Sequence, residues 1–178
     1  MGKRAPVLAG VWLALSWHVG VSARASQGAP DPSAPSSHLR AADPVSAALV
    51  AEGIRRSETL RQLSVEIEVS DVMAYIVLSP EPGPWRGATR FVSASQGMRM
   101  LVVTISLALD SDERLAVLGH ELQHVREVAA ASDVVDVAGM RRLFVRVGEQ
   151  LSPTEDRYET RAAQAVERRI RAEVARNR

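Results

Sequence analysis

Two histidines four residues apart enclose a glutamate in the segment His120-Glu121-Leu122-Gln123-His124. On a helix this spacing sends both imidazoles out of one face about one turn apart, so two nitrogen donors can converge on a single ion. Two imidazoles on a rigid element suit zinc, Zn2+. Glu121 lies one step round the helix, near enough to reach a metal-bound water without ligating the metal itself, which is the position of a general base. The alternative is a chance register on a solvated face. Against it, His120 and His124 are the only histidines after residue 44.

A zinc site built for hydrolysis takes three protein ligands and leaves a fourth position for water. The protein has no cysteine and the domain no further histidine, so the third ligand must be a carboxylate. Ser152-Pro153-Thr154-Glu155 reads as a helix start, with Ser at the N-cap, Pro at the first helical position and Glu two further on. On a helix running from there, Glu159 aligns with Ala163, Val166 and Ile170. An ionised acid on such an apolar stripe is costly unless a positive group meets it. Glu159 is therefore the favoured third ligand. Glu155 shares the face but is accounted for by the cap, and Asp156 points elsewhere. Glu127 shares the histidine face but sits most of a turn beyond His124, which suits a supporting or surface role. Without a metal, Glu159 would pair with Arg142, Arg146 or Arg161.

The elements that must position these residues are legible from periodicity. Val45, Leu49, Val50 and Ile54 recur at helical spacing over residues 45–56. Leu60, Leu63 and Ile67 fit a second helix capped by Ser57, although Val65, Ile67 and Val69 alternate as a strand would. Residues 72–78, VMAYIVL, read as a strand running into the breakers Pro80 to Pro84. Residues 89–95 and 98–106 flank Gln96-Gly97 as a hairpin, its second strand apolar on both faces. Asp110 followed by Glu113 is a capping-box pattern, opening a helix to about residue 131 that contains the two histidines. On it Leu115, Leu118, Leu122, Val125 and Ala129 form a stripe roughly 150° from the histidines, so the histidines look toward a cleft and not toward the main core. A further helix spans 133–147 and closes at Gly148. The expected class is α+β, a small antiparallel sheet with helices against it.

The segments LGHELQHVREV and, later, YETRAA resemble the gluzincin branch of the zincin metallopeptidases over residues 110–163. The resemblance implies a zincin-like active-site helix followed by C-terminal helices, zinc bound by His120, His124 and Glu159, Glu121 as the base, and hydrolysis of peptide bonds in a peptide or protein substrate. Arg126 departs from the pattern, since such helices place an apolar residue there. Two other classes stay open: a non-catalytic, zinc-stabilised binding module, and a small exported interaction protein in which the HELQH segment is accidental. Tyr75 and Tyr158 are the two tyrosines available to an oxyanion, and the sequence does not choose between them.

At 178 residues, 46% hydrophobic and 24% charged, the composition is that of a globular domain whose core is aliphatic, aromatics being 4%. Lys3 and Arg4 precede an apolar run over residues 7–21, and Ala23-Arg24-Ala25 follows with small residues at both cleavage positions. This is the pattern of a secretory signal, cleaved after Ala25. It implies a secreted or periplasmic protein, on the membrane only if the signal is kept. Residues 26–44, rich in Pro, Ser and Ala, read as a flexible tether with His38 incidental, and 45–178 as the folded domain. Without the first 25 residues there remain 19 basic against 21 acidic side chains and no basic cluster, which argues against nucleic acid. The sequence leaves the oligomeric state open.

Overall fold

The computed structural model describes residues 38–80, 85–151 and 157–177. The signal at 1–25, the tether as far as residue 37 and the Ser152 helix start lie outside the described residues. The fold is α+β. Its folded part takes in residues assigned above to the tether: β1 (Leu39–Ala41) pairs in parallel with β2 (Val72–Ser79), Leu39 opposite Ala74. His38 donates its backbone N–H to Glu68 at 2.8 Å and takes no part in the histidine cluster.

Between β1 and β2 run α1 (Pro44–Arg56) and α2 (Glu58–Glu68). Asp43 accepts from Val45 N and Ser46 N, and Pro44 occupies the first turn, where its missing N–H costs nothing. Ser57 ends the first helix and caps the second, accepting from Leu60 N at 3.1 Å. The helical period of Leu60, Leu63 and Ile67 prevails over the strand-like alternation because those three residues bury together in the core.

The main sheet has the order β1-β2-β4-β3, with β3 (Gly87–Ser95) at one edge and β4 (Met98–Ser106) beside β2. In this sheet the expected antiparallel pairing is that of the β3–β4 hairpin. β2 and β4 are parallel, so the sheet is mixed. The hairpin turns at Gln96 and Gly97, both with positive φ, the requirement of the tight turn that follows the right-handed strand twist. A bulge at Val92 separates the pairs Phe91–Leu101 and Ser93–Met100. One face of the sheet, carrying Val72, Ala74, Ile76, Leu101, Val103 and Ile105, is fully buried.

Beneath that face lies α3 (Ser111–Ala129), started by Asp110, whose side chain accepts from Glu113 N at 2.8 Å. Leu115, Leu118, Leu122 and Val125 pack in the core as the stripe predicts. The helix is nevertheless buried well beyond that stripe, because α5 (Arg161–Arg176) crosses its other side. A β-carbon at Gly119 would overlap Ile170 Cδ1, so glycine is what permits this close crossing. α4 (Val137–Val147) starts four residues later than expected, at the Asp136 cap, and leads into the short hairpin β5 (Glu149–Gln150) and β6 (Tyr158–Glu159).

Candidate metal centre

The two histidines project from the middle of α3 into a cleft of about 550 Å³. Edge strand β3 forms one wall, with Phe91 and Thr89. α4 forms another through Val137, Met140 and Phe144, and β6 closes the third side with Tyr158 and Glu159. Phe144 meets the His124 ring edge-on at 5.2 Å and restrains its tilt.

Each imidazole is fixed through Nδ1. Glu167 Oε2 on α5 lies 2.9 Å from His120 Nδ1, and Glu127 Oε2, one turn along α3, lies 2.9 Å from His124 Nδ1. Both Nε2 atoms are thereby turned toward Glu159, with His120 Nε2 3.2 Å from Oε2 and His124 Nε2 3.8 Å from Oε1. The three ligand atoms lie within 4.8 Å of one another. Donors about 2.0–2.2 Å from a tetrahedral ion stand roughly 3.3–3.6 Å apart, close enough to these separations that His120, His124 and Glu159 form a group that could hold a metal ion. Carboxylates behind ligating imidazoles are the usual means of fixing tautomer and ring orientation.

Electrostatics agree with geometry. Glu121, Glu127, Glu159 and Glu167 surround two imidazoles, and Arg86 and Arg171 offset only the outermost, each reaching Glu167 Oε1 at 2.7 and 2.6 Å. Burial opposes a charge on His120, yet its hydrogen bonds to Glu159 and Glu167 outweigh burial and push the pKa up to about 10. The hydrogen bond from His120, against the opposing effect of burial and with help from Arg86, pulls Glu167 down to about 2. A cation is what this set of side chains favours at its centre.

Glu121 leaves α3 on the side facing β3 and is 5% exposed. Thr89 Oγ1 donates to its Oε2 at 2.8 Å. A β-carbon at Gly87 would come within 2.7 Å of Oε1, so glycine lets the edge strand pass close over this carboxylate. Burial pushes the Glu121 pKa up, against the pull of His124, His120 and the Thr89 hydroxyl. A carboxyl raised toward neutrality is a better proton acceptor than an ordinary one.

The structure brings together the four residues singled out from the sequence, but it corrects the reason for Glu159. That residue is not on a helical stripe. It ends β6, and Thr160 caps α5 by accepting from Ala163 N. Thr160 Oγ1 also donates to Glu127 at 2.8 Å, tying the helix start to the residue that orients His124. Glu127 thus has the supporting role its position suggested. Glu167 escaped sequence reasoning although the signal was present, since it lies on the same α5 stripe as Ala163, Ile170 and Val174. Thr89 and Gly87 carry no signal in sequence at all. Of the two tyrosines, Tyr158 lines the cleft, whereas Tyr75 on β2 accepts from Arg40 at 3.4 Å. Arg126 pairs on the surface with Glu66 at 3.1 Å and takes no part in the histidine cluster. Comparison with family models, with curated proteins and with solved structures gives no match.

Proposed function

We propose that this protein is an exported zinc metallopeptidase of the gluzincin type. The observation that carries the proposal is the pair of Nδ1-anchored imidazoles whose Nε2 atoms face one carboxylate beside a buried glutamate. His120, His124 and Glu159 hold the ion, and zinc rather than a harder cation suits two nitrogens and one oxygen. When bound, zinc supplies Lewis acidity and acidifies a water molecule. Glu121 accepts the proton released during attack and returns it to the departing amine. Thr89 and Gly87 hold Glu121 in place. Tyr158, which lines the cleft, would be the tyrosine to donate to a developing oxyanion. The exposed edge of β3 offers backbone donors and acceptors to an extended peptide, which favours substrates by their backbone conformation. Export rests on the N-terminal pattern, and intact mass of protein recovered outside the cytoplasm, expected to begin at Ser26, tests it.

The site is tested by metal analysis and hydrolysis of an unfolded protein substrate with the same preparation. About one zinc per molecule is expected, lost in His120→Ala and in His124→Ala. Glu121→Gln should retain zinc and lose hydrolysis. Zinc retained with equal turnover would remove the base from the mechanism, while zinc without turnover in the unmodified protein would favour a metal-stabilised binding module. Failure of the unmodified protein to take up zinc would sink the centre itself.

A further inference from the structure

The cleft has an anionic floor and a cationic rim. Glu121, Glu159 and Glu167 at the floor are all engaged, by Thr89, by the histidines, and by His120 with Arg86 and Arg171. On the rim Arg86 is neutralised by Glu167 and Glu113. Arg157 differs. Its guanidinium carbon lies 3.4 Å from the centroid of the Trp85 ring, and among the described residues it makes no ion pair. Stacking on an aromatic face uses the flat side of a guanidinium and leaves its in-plane N–H fork available for a carboxylate. The indole also holds that plane in advance, so less freedom is lost when an anion docks.

Position gives this cation a role at the cleft. Arg157 precedes the ligand Glu159 by two residues on one extended segment, where Leu151 N donates to the Arg157 carbonyl at 3.0 Å. Residues two apart on a strand leave the same face about 7 Å from each other, the span of two residues of an extended peptide. Both side chains line the same cleft. Resting on the peptidase reading above, we infer that Arg157, held by Trp85, is a specificity-determining residue. It selects substrates carrying a carboxylate about two residues from the bond cleaved, supplied by an acidic side chain or by the free C-terminus of the peptide.

The test uses hexapeptides with an apolar centre flanked by Glu or by Gln, each made as the free acid and as the C-terminal amide. Binding is measured calorimetrically with zinc-loaded Glu121→Gln protein, and turnover with the unmodified protein. A side-chain source predicts about tenfold tighter binding of Glu than Gln peptides, and a C-terminal source the same ratio of acid over amide. With Arg157→Gln added to the Glu121→Gln protein the ratio should fall below about twofold, and Arg157→Glu should shift preference to peptides flanked by Lys. Equal binding of all four peptides, or a ratio that survives Arg157→Gln, would overturn the inference. Should Arg157→Gln fail to fold, Trp85→Leu carries the test, with at least a threefold drop expected and an unchanged ratio counting against it. Turnover without carboxylate preference removes the inference and leaves the peptidase reading standing. Arg157-dependent binding with no turnover of any peptide does the reverse.

Discussion

Two charged clusters sit on α3 and are built on opposite plans. At its C-terminal end Arg99, reaching from β4 and 4% exposed, donates to Asp71 and to the carbonyls of Val128, Ala129 and Ala131. Val128 and Ala129 end α3, where a helix runs short of internal partners for its carbonyls, and Ala131 follows just beyond it. Donors and acceptors match, and the cluster is closed. In the middle of the helix, four carboxylates surround His120 and His124, their charges do not cancel within the group, and the group opens on a cleft. A buried charge enclosed by its partners holds the fold together. A buried cluster with a surplus of one sign, facing open space, is a place for a ligand.

That contrast breaks most visibly at Glu121. Glu121→Gln keeps size and burial but cannot accept a proton, so kcat should drop by about 10²–10⁴-fold with zinc content unchanged, read by metal analysis beside a rate assay. At the closed cluster the effect is expected on stability alone. Arg99→Met leaves the end of α3 without its donors and should cost about 3–5 kcal/mol in urea unfolding, while the folded fraction still binds one zinc. Loss of zinc from folded Arg99→Met protein would show that the two clusters are not separable. Glu167→Gln probes the shell behind the ligands. It should weaken zinc binding by about 10–100-fold in competition with a chelator, with little change in the unfolding midpoint of the metal-loaded form.

The smallest effect concerns another closed cluster, where Glu173 on α5 accepts from Ser57 Oγ, Thr59 N and Thr59 Oγ1 at the start of α2. Burial works against its charge, but these hydrogen bonds outweigh it and lower the pKa from the ordinary 4.5. A depressed carboxyl contributes stability above its unfolded pKa and loses that contribution as pH falls through the folded value. The difference between the unmodified protein and Glu173→Gln should therefore be level above about pH 5, about 1 kcal/mol after solvent screening, and shrink below pH 4.5. A difference that grows on acidification would reverse the sign of this linkage.

Much of this arrangement is local and legible in the order of residues. The caps at Ser57 and Asp110, the Gln96-Gly97 turn and the core stripe of α3 depend on residues within one or two turns of each other, and the structure has all of them. The spacing of His120 and His124 is equally local, because a helix alone brings them to one face. Glu159 marks the boundary. Composition narrowed the third donor to a carboxylate, but the helical stripe that pointed to Glu159 does not include it, because Thr160 starts α5 only after a two-residue strand. Parallel pairing of β2 with β4 also escaped the pattern, since apolar alternation reports which face is buried and not the direction of the neighbour. The Glu167 carboxylate reaches His120 across 47 residues because Gly119 lets α5 lie against α3, and Thr89 reaches Glu121 across 32 because Gly87 lets β3 pass over it. The donor types and the helix that carries two of them are thus properties of the residue order. Which carboxylates orient those donors, and which strand covers Glu121, follow from packing, because close approach between distant elements depends on the shape of both surfaces at once.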